Sequence, residues 1–473
     1  MTKPVFYSIL LMFLCYQAQS QQAYRFELSG HWNDTNLASQ TTQFSNDRQT
    51  WTDLMGWTHP TSGKEFVILG SIDSIYFFDV SNPTNIKKCD VRWGLNRVIN
   101  RDFEVYDHYV YCVSDNGPPG ALQIFDLQYL PDSVHLVKTD SAISSNTHSI
   151  FIDSTSKRLY LNATKPFGNI PKVGMHIISL NDPENPLLIG SLTDSAKICN
   201  IVHEAYFRND TAYCSCEYKG LQIFDVRDPK HSVHIGGISP PYPFNGYNHT
   251  SWLNDEGSMI VFTDELPYGL PIKLYDISNK KSPDYETNFN SHAGATPHNV
   301  IWLGNKLWTS AYEDGMVLWD MTNPLNPVIQ GFYDTYSQNP DGVYQGLTGC
   351  WGVYPFFASG YIAASDMRNG LFILKYNQKV GLSQNGRSIL AARAYPNPTS
   401  TVINISIFSN QKETATLQIL NLNGQTLLQK QIDLLGGEND IKLEEVSGIQ
   451  NGMYFMSIIT ESGLTKQLPI VKY

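Results

Sequence analysis

One segment, recurring seven times, restricts what this chain can become: an apolar run ending aromatic-Asp-apolar that gives way to a polar turn, often Asn/Asp-Pro. It reads Ile75-Tyr-Phe-Phe78-Asp79-Val80-Ser-Asn-Pro83, Leu122-Gln-Ile-Phe125-Asp126-Leu127, Met175-His-Ile-Ile178-Ser179-Leu180 and Leu221-Gln-Ile-Phe224-Asp225-Val226. It returns as Ile272-Lys-Leu-Tyr275-Asp276-Ile277, Met316-Val-Leu-Trp319-Asp320-Met321 and, worn down, Leu371-Phe-Ile-Leu374-Lys375. Copies lie 44 to 55 residues apart, near the ~40–50 of one four-stranded propeller blade. Period-2 alternation supplies the strands; in the sixth copy they are expected at Asn299–Leu303, Lys306–Ala311, Met316–Met321 and Pro327–Phe332. A blade alone exposes two apolar faces, so only neighbours on both sides stabilise it, which favours a closed ring. The expectation is an all-β seven-bladed propeller. Tyr24–His31 resembles the outer strands Leu187–Leu192 and His234–Ile238, and the seventh copy ends at its third strand. The N-terminal strand is therefore expected to complete the last blade. The five aspartates at strand ends (Asp79, Asp126, Asp225, Asp276, Asp320) are expected to bond turn amides.

Composition divides the chain. All nine Trp lie between Trp32 and Trp351, all twelve His at or before His298, and no Trp, His or Cys follows Tyr376. The reading is a signal peptide over 1–20, a propeller over 21–376, a linker over 377–393 and a small Ig-like β-sandwich over 394–473. Lys3, the apolar run Val5–Tyr16 and Ala18-Gln-Ser20 form a secretory signal cut between Ser20 and Gln21. Cys15 lacks the small residue that a lipid-attachment site needs before its cysteine. No later apolar run reaches the ~18 residues of a membrane span. A net charge of −11 offers no basic stripe for nucleic acid. Six cysteines follow the cut; an exported protein can pair them, and the sequence leaves the pairing open among buried thiols and one or two local bridges.

Aligning the repeats on their innermost strands gives an opening residue of Met55, Arg101, His148, His203, His249, His298 and Trp351, followed by Gly56, Asp102, Ser149, Glu204, Thr250, Asn299 and Gly352. Four histidines in consecutive blades, beside Arg101-Asp102, would gather at one mouth of the central channel. Two chemistries fit. His148, His203, His249 and His298 could hold a divalent metal as neutral imidazoles, with Glu204 or Asp102 supplying oxygen. Alternatively they could form, with Arg101, Asp102, Glu204, Asn299 and Trp351, a polar site for an anionic or sugar ligand. Against both stands a purely architectural role, since a residue repeated in every blade serves blade building. Thr263-Asp264-Glu265 could offer carboxylates to Ca²⁺, and Trp93, Tyr242 and Tyr247 could stack on sugars. There is no G-x-S-x-G elbow and no Gly-rich phosphate loop.

Two resemblances add to this. Asp53–Phe66, Asn100-Arg-Asp-Phe-Glu-Val-Tyr106, Thr263-Asp-Glu265, Pro297-His-Asn-Val300, Trp351–Phe357 and Arg368–Leu374 resemble the choice-of-anchor B family, a propeller of LVIVD repeats. That likeness implies the fold and carries no activity. Tyr395-Pro-Asn-Pro398, Leu417–Gly424 and Gly452-Met-Tyr-Phe-Met456 resemble the type A C-terminal sorting domain of the type IX secretion route in Bacteroidota. It implies recognition of 394–473 by that machinery and delivery to the cell surface or medium. The functional expectation is an exported module binding a glycan, protein or small ligand. A hydrolase or lyase acting at the channel mouth and a structural envelope protein are the alternatives.

Overall fold

The computed structural model describes residues 23–472 apart from 43, 96, 116–119, 166–172, 193–196, 339–343, 345, 378–390, 396–398, 410, 422–424 and 463–464. The expected signal peptide with its Ser20/Gln21 cut, most of the expected linker and the Pro-Asn-Pro of 396–398 lie outside the described residues.

Each repeat folds as a four-stranded antiparallel sheet in simple up-down order, because each turn is short and each strand alternates. Among the described residues there are seven such sheets before residue 377. Their innermost strands are Trp51–Thr58, Arg101–Tyr106, Ser149–Asp153, Glu204–Arg208, Asn248–Leu253, Val300–Leu303 and Cys350–Tyr354. Each of the first five packs against the next, the second strand of the sixth sheet (Lys306–Ser310) packs against Cys350–Tyr354, and the last packs against the first, so the sheets form a β-propeller round a central channel. In the sixth sheet the strands are Val300–Leu303, Lys306–Ser310, Met316–Asp320 and Val328–Tyr333, within a residue or two of expectation. Phe26–Trp32 pairs with Gly370–Tyr376, from Phe26 opposite Tyr376 to Trp32 opposite Leu371. The N-terminal strand thus supplies the outer strand that the seventh repeat lacks. The adjoining pair Ala23–Tyr24 adds to the edge of the sixth sheet.

The repeated motif has two local consequences. All five aspartates accept from a main-chain N–H two residues on, Ser81, Gln128, Arg227, Ser278 and Thr322, at 2.7–3.0 Å, which fixes the turn out of the third strand. Every pairing of third with fourth strand also shifts register once, at Phe77/Phe78 in the first sheet and at Leu318/Trp319 in the sixth, for example. A bulge there adds the local twist that lets a blade fan outward.

Close packing between blades needs glycine where the outer strand meets the next blade's turn. A Cβ on Gly190 would lie 1.7 Å from the Pro229 carbonyl oxygen, and one on Gly30 would lie 2.1 Å from that of Pro83. Gly30 belongs to the ring-closing strand and Pro83 to the first blade, so the closing joint has the same construction as an internal one. Of the cysteines, Cys199 and Cys216 form a disulfide tying the entry of the fourth blade to the end of its second strand, while Cys112, Cys214 and Cys350 are buried thiols.

Beyond the propeller, Ala391–Tyr395, Ile403–Ser409 and Gly437–Leu443 form one sheet, and Thr426–Leu434, Glu413–Leu420, Gly452–Thr460 and Thr465–Lys472 another. They enclose a core of their own that includes Ile405, Leu417, Leu434, Met456 and Ile458, a two-sheet sandwich. No helix among the described residues is long and apolar enough to cross a membrane.

If the closing joint is as tight as its geometry, Gly30→Ala forces Pro83 away. Urea denaturation should show a loss of about 1–3 kcal/mol, and an unchanged midpoint would show that the joint is slack.

Candidate functional site

In an up-down blade, the start of the innermost strand and the turn between the second and third strands fall on the same face. That face therefore collects the opening residues of the seven blades and the residues just past each second strand. The four histidines do gather there. Ring centroids run 4.0 Å from His148 to His203, 4.3 Å on to His249, 4.4 Å on to His298 and 4.8 Å on to the Trp351 ring. They form one continuous arc.

Their hydrogen bonds divide them. His298, 2% exposed, has its Nδ1 2.6 Å from the main-chain oxygen of Trp351 and so links the sixth blade to the seventh. Burial pushes its pKa down to about 3, with the Trp351 bond opposing. His148 holds Asp115 at 2.9 Å through Nδ1. His249 has Nε2 3.9 Å from Oε1 of Glu265, and burial followed by its three histidine neighbours keeps its pKa well below the usual value. His203, His249 and Glu265 each place a potential ligand atom within 4.8 Å of the other two. Glu265 also accepts from the buried Tyr312 hydroxyl. A repeated architectural device accompanies the arc: Ser149, Thr263 and Ser310 hydroxyls donate to the main-chain oxygens of His203, His298 and Trp351, at 2.6–2.8 Å.

Three expectations need correction. Arg101 is not a ligand-facing cation: its guanidinium is buried and donates to the carbonyls of Ser71, Gly94 and Ile72 at 2.7–3.1 Å. It staples the second blade to the first. Asp102 and Glu204, expected as oxygen ligands for the histidines, are engaged elsewhere. Asp102 accepts from the main-chain N–H groups of Phe103 and Ile150 at 2.9 and 2.6 Å, and Glu204 accepts from the Thr250 hydroxyl at 2.9 Å. Asp264 is no open calcium ligand, because it pairs with the fully buried Lys273 at 2.9 Å and accepts from Tyr242, Asn248 and the Gly246 N–H. Asn299 stands at the inner wall with its Oδ1 buried. Tyr242 is buried, whereas Trp93 is exposed.

The alignment of the first blade also shifts. Its inner strand begins at Trp51, and a register irregularity between Trp51 and Leu54 puts Asp53, not Gly56, beside Asp102. Gly352 makes room, since a Cβ there would lie 2.3 Å from Asp53 Oδ1. Burial, then the Asp102 carboxylate, pushes the Asp53 pKa well up, which favours its protonated form beside Asp102. Burial also raises Glu104 well above the ordinary range and Glu204 to about 7, in both cases with help from the Asp102 charge. The channel is thus lined by carboxyl groups. Asp53, Glu104 and Asp115 were missed as site residues; Glu265 was expected only as a calcium carboxylate, and the structure sets it beside His249, so the positions that needed another signal at this mouth are Asp115 and Glu265. The signal that could have found the last two is an acid just past the second strand, repeated as Asp115, Glu217, Glu265 and Glu313.

Around the mouth stand aromatic side chains on the same turns. Tyr218 is 62% exposed and Tyr268 43%. The Tyr247 ring lies 5.2 Å from Tyr218 and 5.3 Å from His203, its hydroxyl donating to Glu217 at 3.0 Å.

The carboxyl lining predicts a pH signature. An unfolded glutamate ionises near pH 4.5 but Glu204 near 7, so folding is penalised as pH rises through that window. Glu204→Gln keeps the acceptor for Thr250 and removes the charge. It should stabilise the protein at pH 8 by about 3 kcal/mol and leave pH 4 nearly unchanged. Urea titrations at the two pH values check this; equal effects at both would place the Glu204 pKa in the ordinary range.

Comparison with known proteins bears on the two ends of the argument differently. A protein named DSE1 from Debaryomyces hansenii is 28% identical over 112 residues, which is 24% of this chain and 16% of that protein. Among solved structures, U3-55K aligns at TM-score 0.49 and 12% identity over 74% of this chain and 98% of its own. The periplasmic gluconolactonase PpgL of Pseudomonas aeruginosa aligns at 0.47 and 8% over 83% and 99%. PorZ, a surface component of the type IX secretion system of Porphyromonas gingivalis, aligns at 0.44 and 11% over 87% and 58%. Residues 393–472 match the family model of the secretion system C-terminal sorting domain, so the chain carries a type IX sorting tail and is handled by that export machinery.

Proposed function

We propose that this is an exported glycan-binding propeller: made with a signal peptide over 1–20, passed to the type IX route by its C-terminal sandwich, and taking its ligand at the channel mouth. The observation that carries the reading is the juxtaposition, on one face, of exposed tyrosines with a continuous arc of imidazoles and buried carboxyls. Sugars present apolar C–H faces that stack on aromatic rings and hydroxyls that pair with such polar groups. Tyr218 and Tyr268 would stack the sugar, while Trp351, His148 and His203 would line its floor. Asp102, Glu204 and Asn299 would meet hydroxyls reaching into the channel. The choice-of-anchor B likeness of residues 24–375 agrees with a propeller presented at the surface by an exchangeable tail.

Calorimetric titration of the purified protein with soluble oligosaccharides of cellulose, xylan and mannan tests the reading. At least one should bind, and Tyr218→Ala should weaken it by about fivefold, the ~1 kcal/mol of one stacked ring. Absence of binding to all three, or binding indifferent to Tyr218, would reject the mouth as a glycan site.

A further inference from the structure

We propose that His203, His249 and Glu265 hold one divalent transition-metal ion of the zinc class at the channel mouth. The inference concerns the same mouth as the glycan reading, and rests on that reading only in making the ion part of the ligand site. The three side chains come from adjoining blades: His203 opens the fourth, His249 lies in the first strand of the fifth, and Glu265 just follows the second strand of the fifth. All three are buried.

Three observations converge on a cation. First, the separation of 3.9 Å between His249 Nε2 and Glu265 Oε1 is too long for a hydrogen bond. It is within half an ångström of the ~3.4 Å between two ligand atoms sharing one tetrahedral ion at ~2.1 Å. Small side-chain rotations would close all three atoms onto one centre. Second, the candidate ligand atoms of His203, His249 and Glu265 all lie within 4.8 Å of one another on buried side chains. No Lys or Arg ion pair reaches Glu265 among the described residues; its only recorded ion-pair partner there is His249. Third, the Tyr312 hydroxyl donates to the same carboxylate oxygen, the kind of outer partner that orients a ligating carboxylate. Two imidazoles and one carboxylate match zinc better than calcium or magnesium, which prefer all-oxygen sets. Three protein ligands leave a fourth position for water or for a ligand hydroxyl. His298, tied to the Trp351 carbonyl, and His148, tied to Asp115, stand outside the set.

The test uses the full secreted chain, purified without a histidine tag, equilibrated with zinc chloride and freed of excess by gel filtration. Elemental analysis should find about one zinc per chain, and zinc should raise the melting temperature until a chelator is added. His249→Gln should lose the metal, Tyr312→Phe should weaken its binding about tenfold or more, and the exposed His231→Ala should keep it. Wild-type protein that takes up no zinc and does not change its melting temperature would overturn the proposal, as would uptake that survives both His249→Gln and Glu265→Gln. If His249→Gln does not fold, the wild-type stoichiometry and the Tyr312→Phe affinity decide. Repeating the oligosaccharide titrations with zinc-loaded and chelated protein separates the two readings. Zinc without sugar binding removes only the glycan reading, and sugar binding without zinc removes only this one.

Discussion

The pairing of Phe26–Trp32 with Gly370–Tyr376 is the constraint on which the rest depends. It joins the two ends of the repeat array through backbone hydrogen bonds and covers the edge that Gly370–Tyr376, the third strand of the last blade, would otherwise leave open. Without it the first and seventh blades would each expose an apolar face that only the other can cover. The core between them, with Trp51, Tyr76, Phe78, Leu371 and Ile373 fully or nearly fully buried, forms only in the closed ring.

Closure in turn fixes the blades relative to one another at two radii. At the rim, outer-strand glycines admit the proline-bearing turn of the next blade. Near the axis, hydroxyls and the Arg101 guanidinium reach across to the main-chain oxygens of a neighbouring blade. Seven innermost strands held this way point their alternate residues into one channel. Convergence of chemistry at its mouth is therefore a consequence of ring geometry, and it needs no dedicated loop.

What converges is electrostatically opposed. His249 and His298 resist protonation because burial would strand a positive charge, while Asp53, Glu104 and Glu204 resist ionisation because burial and mutual repulsion penalise the anion. Burial thus favours the uncharged forms of these groups, which both donate and accept hydrogen bonds. Such a surface suits a polar, uncharged ligand, and the one place where a carboxylate faces imidazoles at non-bonding distance suits a cation.

The sequence by itself determined the blade, its number of strands, its turn chemistry and the strand that closes the ring, because these follow from periodicity and from hydrogen bonds between near neighbours. It also brought His148, His203, His249 and His298 to one face, since a residue's place in a repeat sets its height along the channel. Only the tertiary structure decided what each of them does. Arg101 turns to the first blade rather than the channel, Asp53 enters through a register irregularity, and Cys199 takes Cys216 among many possible partners. Likewise Glu265, and not Glu204, comes to His249. These outcomes depend on which side chain of an adjacent blade lies within about 3–4 Å, the range over which hydrogen bonds and ion pairs act, and residues that meet this way are tens of positions apart in the chain.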